Sequence, residues 1–367
     1  MCGMALTDLT TNERRALRGI VRHPGRPDRE VASLIGMSPS SLVAARLELE
    51  REGYIKTLAL PAVQRLGAEF LAVSYTHSDS LPLREGTVDG LEGAVRDTEV
   101  FSLALETNQC MFMQFSRSYT DARRNIETIE RFYRANGNLS RGFTTCFFPF
   151  ALSRLVNHFD HARLVDHLLG EAGPGEAGPR EAGPGEAWGP EPLFEGRRPV
   201  ELSAVGREVL LGILGHPELP NTELARKIGL SRMTIGKWRN AFLGDGVLTM
   251  RRVPDLGRMG VELLVLTHGR FAKNLPRGLR HFMPELMGTM GPVVFAALGD
   301  DDILALSAFP SFTQYREANS VFMSKFNEHE MFASPPERVL FSVRATRTVR
   351  SHAYGPLVRR LLAPRGS

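Results

Sequence analysis

The chain has 367 residues, of which 43% are hydrophobic and 23% are charged, a composition typical of globular proteins with room for three or four small domains. No run approaches 18 apolar residues, so we expect no membrane span, and the opening residues lack the pattern of a secretory signal. The three cysteines lack the paired spacing of a structural zinc site. Their low number fits the reducing cytoplasm, where we expect the protein to be located.

Charge is distributed unevenly along the chain. Residues 198–367 carry 23 Lys/Arg and 15 Asp/Glu, whereas residues 1–169 carry 20 of each. The intervening residues 170–197 are acidic and repeat Glu, Ala, Gly and Pro with a period of about five. Because such a segment has almost nothing to bury, it predicts a disordered linker. A polyanionic partner is expected to prefer the C-terminal half.

The two halves that flank this segment resemble each other at an offset of 193 residues. Residues 35–38 read Ile-Gly-Met-Ser, and residues 228–231 read Ile-Gly-Leu-Ser. With one residue inserted, the alignment also pairs Phe147 with Phe341 and His158 with His352. Since Gly and Ser at fixed positions set turns and helix starts, the repeat predicts one fold used twice.

Each half opens with three short helical patterns. In the first half, Thr10 and Glu13 have the spacing of a capping box at the start of the first helix. The second helices read DREVASLIGM and NTELARKIGL, and Ser38 and Ser231 are suited to cap the third. A strand pair around Arg251 is expected to form the wing. This order predicts a winged helix-turn-helix, whose third helix enters the DNA major groove.

The third helices differ in charge, which predicts that the second copy is the main reader of double-stranded DNA. The first copy has neutral residues at most of the equivalent positions, and it fits a protein interface equally well. A purely solvated basic helix surface is the alternative for the second copy. The predicted DNA-binding residues are Ser231, Arg232, Thr234, Lys237, Arg239, Arg251 and Arg252, with weaker contacts from Ser38, Ser41 and Arg46.

The remainder of each half alternates apolar strands and amphipathic helices in the order β-α-β-β-α-β, which predicts a ferredoxin-like sensing domain. The predicted fold class is therefore α+β, with two winged helix-turn-helix domains and two ferredoxin-like domains in tandem. The predicted boundaries are 1–62 and 63–169 for the first copy, 170–197 for the linker, and 198–255 and 256–367 for the second copy.

The motif ELARKIGLSRMTIGKWRNAFLGDGVL, followed by GRMGVELLVLT, and its first-half counterpart resemble the Lrp/AsnC family of prokaryotic regulators. The resemblance implies a DNA-binding transcriptional regulator that responds to a small-molecule effector. Members of this family are typically single units that dimerise. Fusion of two units implies an internal pseudo-dimer, with further homo-oligomers left open.

Few residues indicate other chemistry. No hydrolase triad, phosphate loop or HExxH motif is present, so we expect no catalytic residue and no metal site, and the sequence identifies no cofactor. Residues 300–302, three aspartates, fit a hairpin turn better than a cation site. Cys110 and Cys146 fit core positions better than redox sensors. The candidate ligand residues are His158, His161 and His352, although surface or capping roles also fit them; His158 and His161 are spaced to share a helix face.

Two other classes of function stay open at this point. Some proteins that resemble the Lrp/AsnC family are sirohaem decarboxylases, which pair two such units and use histidines near a tetrapyrrole. The duplication and the histidines are compatible with such an enzyme, but it has no need of a basic recognition helix. A protein-interaction scaffold is the third alternative.

Overall fold

The computed structural model describes residues 6–77, 86–136, 142–170, 194, 198–272, 287–328 and 330–363. Nearly all of the predicted linker lies outside the described residues, apart from Gly170 and Phe194. Most of the segment expected to form the first helix of the second ferredoxin-like domain, residues 275–287, also lies outside them. In the part of the chain that is described, no helix has both the length and the apolar character needed to cross a membrane.

The first half contains the three predicted helices and the predicted β-α-β-β-α-β order. The Thr10–Glu13 capping box is confirmed, and Ser38 caps the third helix. The elements are α1 Thr11–Arg22, α2 Asp28–Leu34, α3 Pro39–Arg51, β1 Ile55–Pro61, β2 Phe70–His77, α4 Thr87–Val95, β3 Val100–Glu106, β4 Gln109–Ser116, α5 Tyr119–Ala135, β5 Thr144–Pro149, β6 Arg154–His158 and α6 Ala162–Leu168.

The second half repeats this order over its described residues. Residues 299–301 form the turn between two antiparallel strands, as predicted for the aspartates there. The elements are α7 Ala204–Gly215, α8 Asn221–Ile228, α9 Arg232–Gly244, β7 Leu248–Pro254, β8 Leu263–Arg270, β9 Val293–Leu298, β10 Asp302–Phe309, α10 Phe312–Glu328, β11 Glu337–Ser342, β12 Arg347–Arg350 and α11 Tyr354–Leu361.

The strand orders are those of ferredoxin-like sheets, and the α+β fold class is confirmed. One sheet has the order β3-β4-β2-β5, and the other has the matching order β9-β10-β8-β11. Each sheet also gains a fifth strand from the opposite half of the chain. Strand β12 pairs with β3, and β6 lies beside β9. Sequence reasoning missed both fifth strands because four or five residues are too few to show an alternating pattern.

Contacts divide the chain into two compact units that each take segments from both halves. Unit 1 comprises Met1–Thr57, Leu155–Glu191 and Arg251–Arg344. Unit 2 comprises Leu58–Arg154, Pro192–Met250 and Ala345–Ser367. Each unit therefore combines the helix-turn-helix of one copy with the main sheet of the other copy, an exchange that the sequential boundaries did not anticipate.

The predicted wing differs from the observed one. Each copy contributes a single strand, and β1 and β7 pair with each other in a two-stranded sheet. After β1 the chain makes a short 3-10 turn at Val63–Leu66 and then enters β2, which leaves no room for a returning strand. The expected hairpin around Arg251 is therefore replaced by one strand from each copy.

The strand pairing shows that the alignment of the two halves needs no inserted residue. Strands β2 and β5 pair Leu71 with Phe148, whereas β8 and β11 pair Leu264 with Phe341. Phe341 is thus equivalent to Phe148 rather than to Phe147, and the offset stays at 193. Phe159 and His352 likewise share a left-handed backbone, with φ of 57° and 55°. His352 therefore corresponds to Phe159, and the predicted match with His158 is wrong.

Aromatic and aliphatic side chains fill the cores. In unit 2, Phe194 is buried and stacks on Phe115 and Phe150, with ring centroids 5.8 and 5.6 Å away. This packing lies inside the segment that the sequence predicted to be a disordered linker. Cys110 and Cys146 are buried in β4 and β5, as predicted for core cysteines. Burial raises the pKa of Cys110 to about 12, which disfavours the reactive thiolate.

Candidate nucleic-acid interface

Helix α9 is held by its cap and by two large inward side chains. Ser231 is the cap, and its Oγ accepts a hydrogen bond from the Thr234 backbone N–H at 3.1 Å. Ile235 and Phe242 are buried on the inner face. Because a helix repeats every 3.6 residues, Lys237, two residues after Ile235, lies on the opposite face and is exposed. Arg232 is exposed as well, as the first residue of the helix.

Helix α8 adds two more cations to this helix pair. Arg226 and Lys227 occupy its last turn and are exposed, and α8 packs against α9. Within the described part of the chain, neither these two residues nor Arg232 and Lys237 pair with a carboxylate. Sequence reasoning missed Arg226 and Lys227, although two adjacent basic residues next to the helix-turn-helix turn were a usable signal. We call these four residues the α8–α9 basic face.

The equivalent helix of the first copy has its cations neutralised. Arg46 donates hydrogen bonds to Asp28 at 3.1 Å and to Glu50 at 2.9 Å. Arg51 pairs with neighbouring glutamates of the same helix. The Ser38 and Ser41 hydroxyls hydrogen bond to each other in the cap, 2.8 Å apart. The three weaker DNA-binding candidates, Ser38, Ser41 and Arg46, therefore take part in intramolecular contacts in this structure.

Arg239 is predicted to contact a base edge, but its side chain is turned toward the protein. Its Nη2 donates a hydrogen bond to the backbone carbonyl of Leu219 at 3.0 Å, and the side chain is half-buried. Burial lowers the pKa of this guanidinium from its ordinary value. The residue lies one turn after Ile235, so it points toward the loop before α8 rather than outward with Lys237.

The two strand arginines are also held by carboxylates, in unit 1. Arg251 is buried, and its Nη1 lies 3.7 Å from Asp160 Oδ2. Arg252 is half-buried, with its Nε 3.9 Å from Glu50 Oε1, and burial lowers its pKa although Glu50 opposes this. The physical reason is the absence of the predicted hairpin, which would have carried both side chains into solvent.

Two of the three candidate ligand histidines, His158 and His161, are packing residues. His158 ends β6 and is fully buried beside Phe159 and Phe295, with ring centroids 5.2 and 6.2 Å away. His161 occupies the N-cap position of α6 without a capping bond from its side chain, and its Nδ1 lies 2.8 Å from the Phe159 carbonyl oxygen. The left-handed turn at Phe159 separates the two histidines, so they do not share the helix face that the sequence predicted.

Burial also determines the protonation of these rings. It lowers the pKa of His161 to about 4 and that of His158 well below the ordinary value of 6.5. Both rings are therefore neutral near pH 7. His352 belongs to unit 2, where its Nδ1 lies 2.9 Å from the Ser351 hydroxyl.

No family model and no curated protein matches the chain. Among solved structures, it is similar to the siroheme decarboxylase NirDL, with 9% identity and a TM-score of 0.50 over 96% of this chain and 98% of that one. The complex of NirDL with an iron-uroporphyrin III analogue gives 11% identity and a TM-score of 0.50, covering 95% and 97%. AsnC from E. coli gives 18% identity and a TM-score of 0.30, covering 39% and 93%. At such identities the two NirDL matches show a shared fold alone.

Proposed function

We propose that this protein is a DNA-binding transcriptional regulator whose second helix-turn-helix contacts double-stranded DNA. The observation that carries the proposal is the α8–α9 basic face, four exposed cations without carboxylate partners among the described residues. Cations that make no ion pair within the protein are free to neutralise phosphates and to release the counterions condensed on DNA.

The geometry of α9 suits a helix whose N-terminal half enters the major groove of DNA. Ser231 and Thr234 lie at the helix start, where hydrogen-bond donors commonly meet phosphate oxygens. Their hydroxyls hydrogen bond to each other at 2.9 Å, as those of Ser38 and Ser41 do, so the caps do not distinguish the two copies. Arg232, at the first helical position, and Lys237, on the outward face, are both exposed and would contact base edges or the flanking phosphates. Because neither Arg251 nor Arg252 is presented on a wing, we assign the affinity to the helices.

The first copy has a different role in this proposal. Its recognition-helix cation Arg46 makes two hydrogen bonds to carboxylates, and Leu47 is 54% exposed on the same helix. A helix whose cations are already paired with carboxylates suits a protein interface better than a polyanion. The internal pseudo-dimer and any further homo-oligomer predicted from the sequence stay predictions.

Titration of labelled promoter fragments with the purified full-length protein, at 50 and at 200 mM salt, tests the proposal. Neutralisation of about four phosphates gives a slope of log affinity against log salt of about −3 to −4. Duplex binding with such a slope is the expected result. Absence of salt-dependent binding to any duplex would overturn the proposal.

The NirDL fold match motivates a second candidate, a sirohaem decarboxylase-like enzyme that binds a tetrapyrrole, because that match spans nearly the whole chain. The packing of His158 and His161 argues against it, since both rings are buried. Addition of an iron tetrapyrrole to the purified protein, followed by visible absorption, distinguishes the two candidates. A saturable band shift that is lost in a His161→Gln variant would favour the enzyme.

A further inference from the structure

A small cleft opens between helix α10 and the second ferredoxin-like sheet, within unit 1. The cleft is open to solvent, and its empty volume of about 240 Å³ includes part of that open space. The polar lining consists of Thr267, Ser307 and Arg338 from three strands and of Tyr315 and Asn319 from α10. We call it the Arg338 cleft.

The sheet register explains why these strand residues meet. Arg338 of β11 stands directly opposite Thr267 of β8, and Ser307 of β10 stands opposite Val265. Since side chains two residues apart along a strand share a face, all four side chains lie on one face of the sheet. Helix α10 covers this face and buries Phe322 against it.

Arg338 supplies a cation in a partly dry setting. Its guanidinium lies 5.6 Å from the centre of the Phe322 ring, and Nη2 lies 2.9 Å from Met323 Sδ. Burial lowers the pKa of Arg338, and burial raises the pKa of Tyr315, against the effect of the nearby arginine. No carboxylate of the described residues pairs with Arg338, so the cleft holds a half-buried cation without an anion from the described residues.

The first ferredoxin-like domain provides a comparison, because the polar side chains on its equivalent face hydrogen bond to one another. At the offset of 193, Ser74 and Thr145 replace Thr267 and Arg338, and their hydroxyls hydrogen bond at 2.9 Å. Gln114, at the place of Ser307, accepts a hydrogen bond from Asn125 at 2.7 Å. The polar groups of the first domain therefore satisfy one another, whereas those of the second face an opening.

We propose that the Arg338 cleft binds a small monocarboxylate with an apolar substituent. The guanidinium would hold the carboxylate in a bidentate pair, and the hydroxyl groups of Thr267 and Ser307 would complete its hydrogen bonds. Phe322 and Met290 provide the apolar wall. The cleft lining contains no acidic residue, so the ammonium group of an amino acid would have no counter-ion there. This inference goes beyond DNA binding and does not depend on it.

Isothermal titration of the full-length protein without DNA tests the proposal, with isovalerate, phenylacetate, the uncharged phenylacetamide and L-phenylalanine as probes. We expect saturable binding of at least one monocarboxylate. A charge-assisted hydrogen bond contributes about 1.5–3 kcal/mol, so phenylacetamide should bind about ten- to a hundredfold more weakly than phenylacetate. L-phenylalanine should also bind more weakly than phenylacetate.

Variants assign the binding to this cleft. Arg338→Gln should weaken carboxylate binding about tenfold or more, whereas the matched control Arg270→Gln, at an exposed position of β8, should bind like the parent. If Arg338→Gln fails to fold, Asn319→Leu on α10 narrows the cleft mouth and should reduce binding as well. The proposal is overturned if no monocarboxylate binds, if the cleft variants bind like the parent, or if L-phenylalanine binds more tightly than phenylacetate.

Discussion

Arg251 Nη1 lies 3.7 Å from Asp160 Oδ2, and the arginine is only 9% exposed. The same arginine contributes to the low pKa of the buried His158. A residue that the sequence placed on a DNA-contacting wing is therefore part of the packing of unit 1. Its substitution should affect folding before it affects DNA affinity.

Arg251→Ala is expected to reduce the free energy of unfolding by about 1–3 kcal/mol, because it removes a buried guanidinium and leaves space beside His158. Urea unfolding followed by circular dichroism measures this loss, with Arg270→Ala as the exposed control. The salt slope of DNA binding should stay at the parent value. Unchanged stability together with a flatter salt dependence of DNA binding would show that Arg251 contacts DNA instead.

The buried histidines predict a stability loss in mild acid. Folding holds the pKa of His161 near 4 and that of His158 well below 6.5, whereas the unfolded rings keep the ordinary value. Below pH 6.5 the two rings therefore bind more protons in the unfolded chain than in the folded chain. Stability is complete above pH 6.5 and falls as the pH drops toward 4, by up to about 1.4 kcal/mol per pH unit for each histidine.

Urea midpoints at pH 7.5, 6.0 and 5.0 measure this dependence. The double variant His158→Gln, His161→Gln should show a shallower loss of stability with falling pH than the parent. His167→Gln, which changes a less buried histidine that contacts Gln314, controls for the effect of the substitution itself. Equal slopes in the parent and the double variant would show that the two rings do not titrate as described.

The exchange of segments predicts how the chain responds to cleavage. A protease site introduced between Gly185 and Glu186 would cut inside the acidic repeat. Both units contain residues from both resulting fragments, and β6 and β12 each complete a sheet of the opposite half. The nicked protein should therefore elute from gel filtration as one species, and the fragments should separate only in denaturant. Elution as two folded fragments would instead favour the sequential domain boundaries predicted from the sequence.

Local patterns predicted most of the elements correctly, since they depend on short-range physics. The Thr10 capping box and the Ser231 cap are set by residues three positions apart. The strands of both ferredoxin-like sheets show the apolar runs expected of buried strands. These signals required no knowledge of where the rest of the chain lies.

Several errors, including the predicted wing, arise from long-range pairing. The absence of a hairpin wing follows from β1 pairing with β7, whose residues are almost 200 positions apart. That pairing sets the surroundings of Arg251. The one-residue insertion was also an error of register, which only the pairing of Phe341 with Leu264 could reveal. Phe194 was assigned to the linker because its neighbours are Glu, Gly and Pro, whereas its packing depends on distant aromatic rings.

The central claim is that the α8–α9 basic face of the second copy binds DNA. The most direct test is the salt dependence of DNA binding for Arg232→Ala, Lys237→Ala, compared with the matched first-copy variant Arg46→Ala, Arg51→Ala. Each double variant removes two positive charges. Arg46 and Arg51 form ion pairs with carboxylates, whereas Arg232 and Lys237 form none with the described residues.

Fluorescence anisotropy with a labelled promoter duplex, at four salt concentrations between 50 and 200 mM, provides the measurement. The second-copy variant should lose affinity, and its slope should flatten by about 0.9 for each phosphate contact removed, about 1.8 in all. The first-copy variant should keep the parent slope. The account is contradicted if the first-copy variant loses the slope while the second-copy variant binds like the parent.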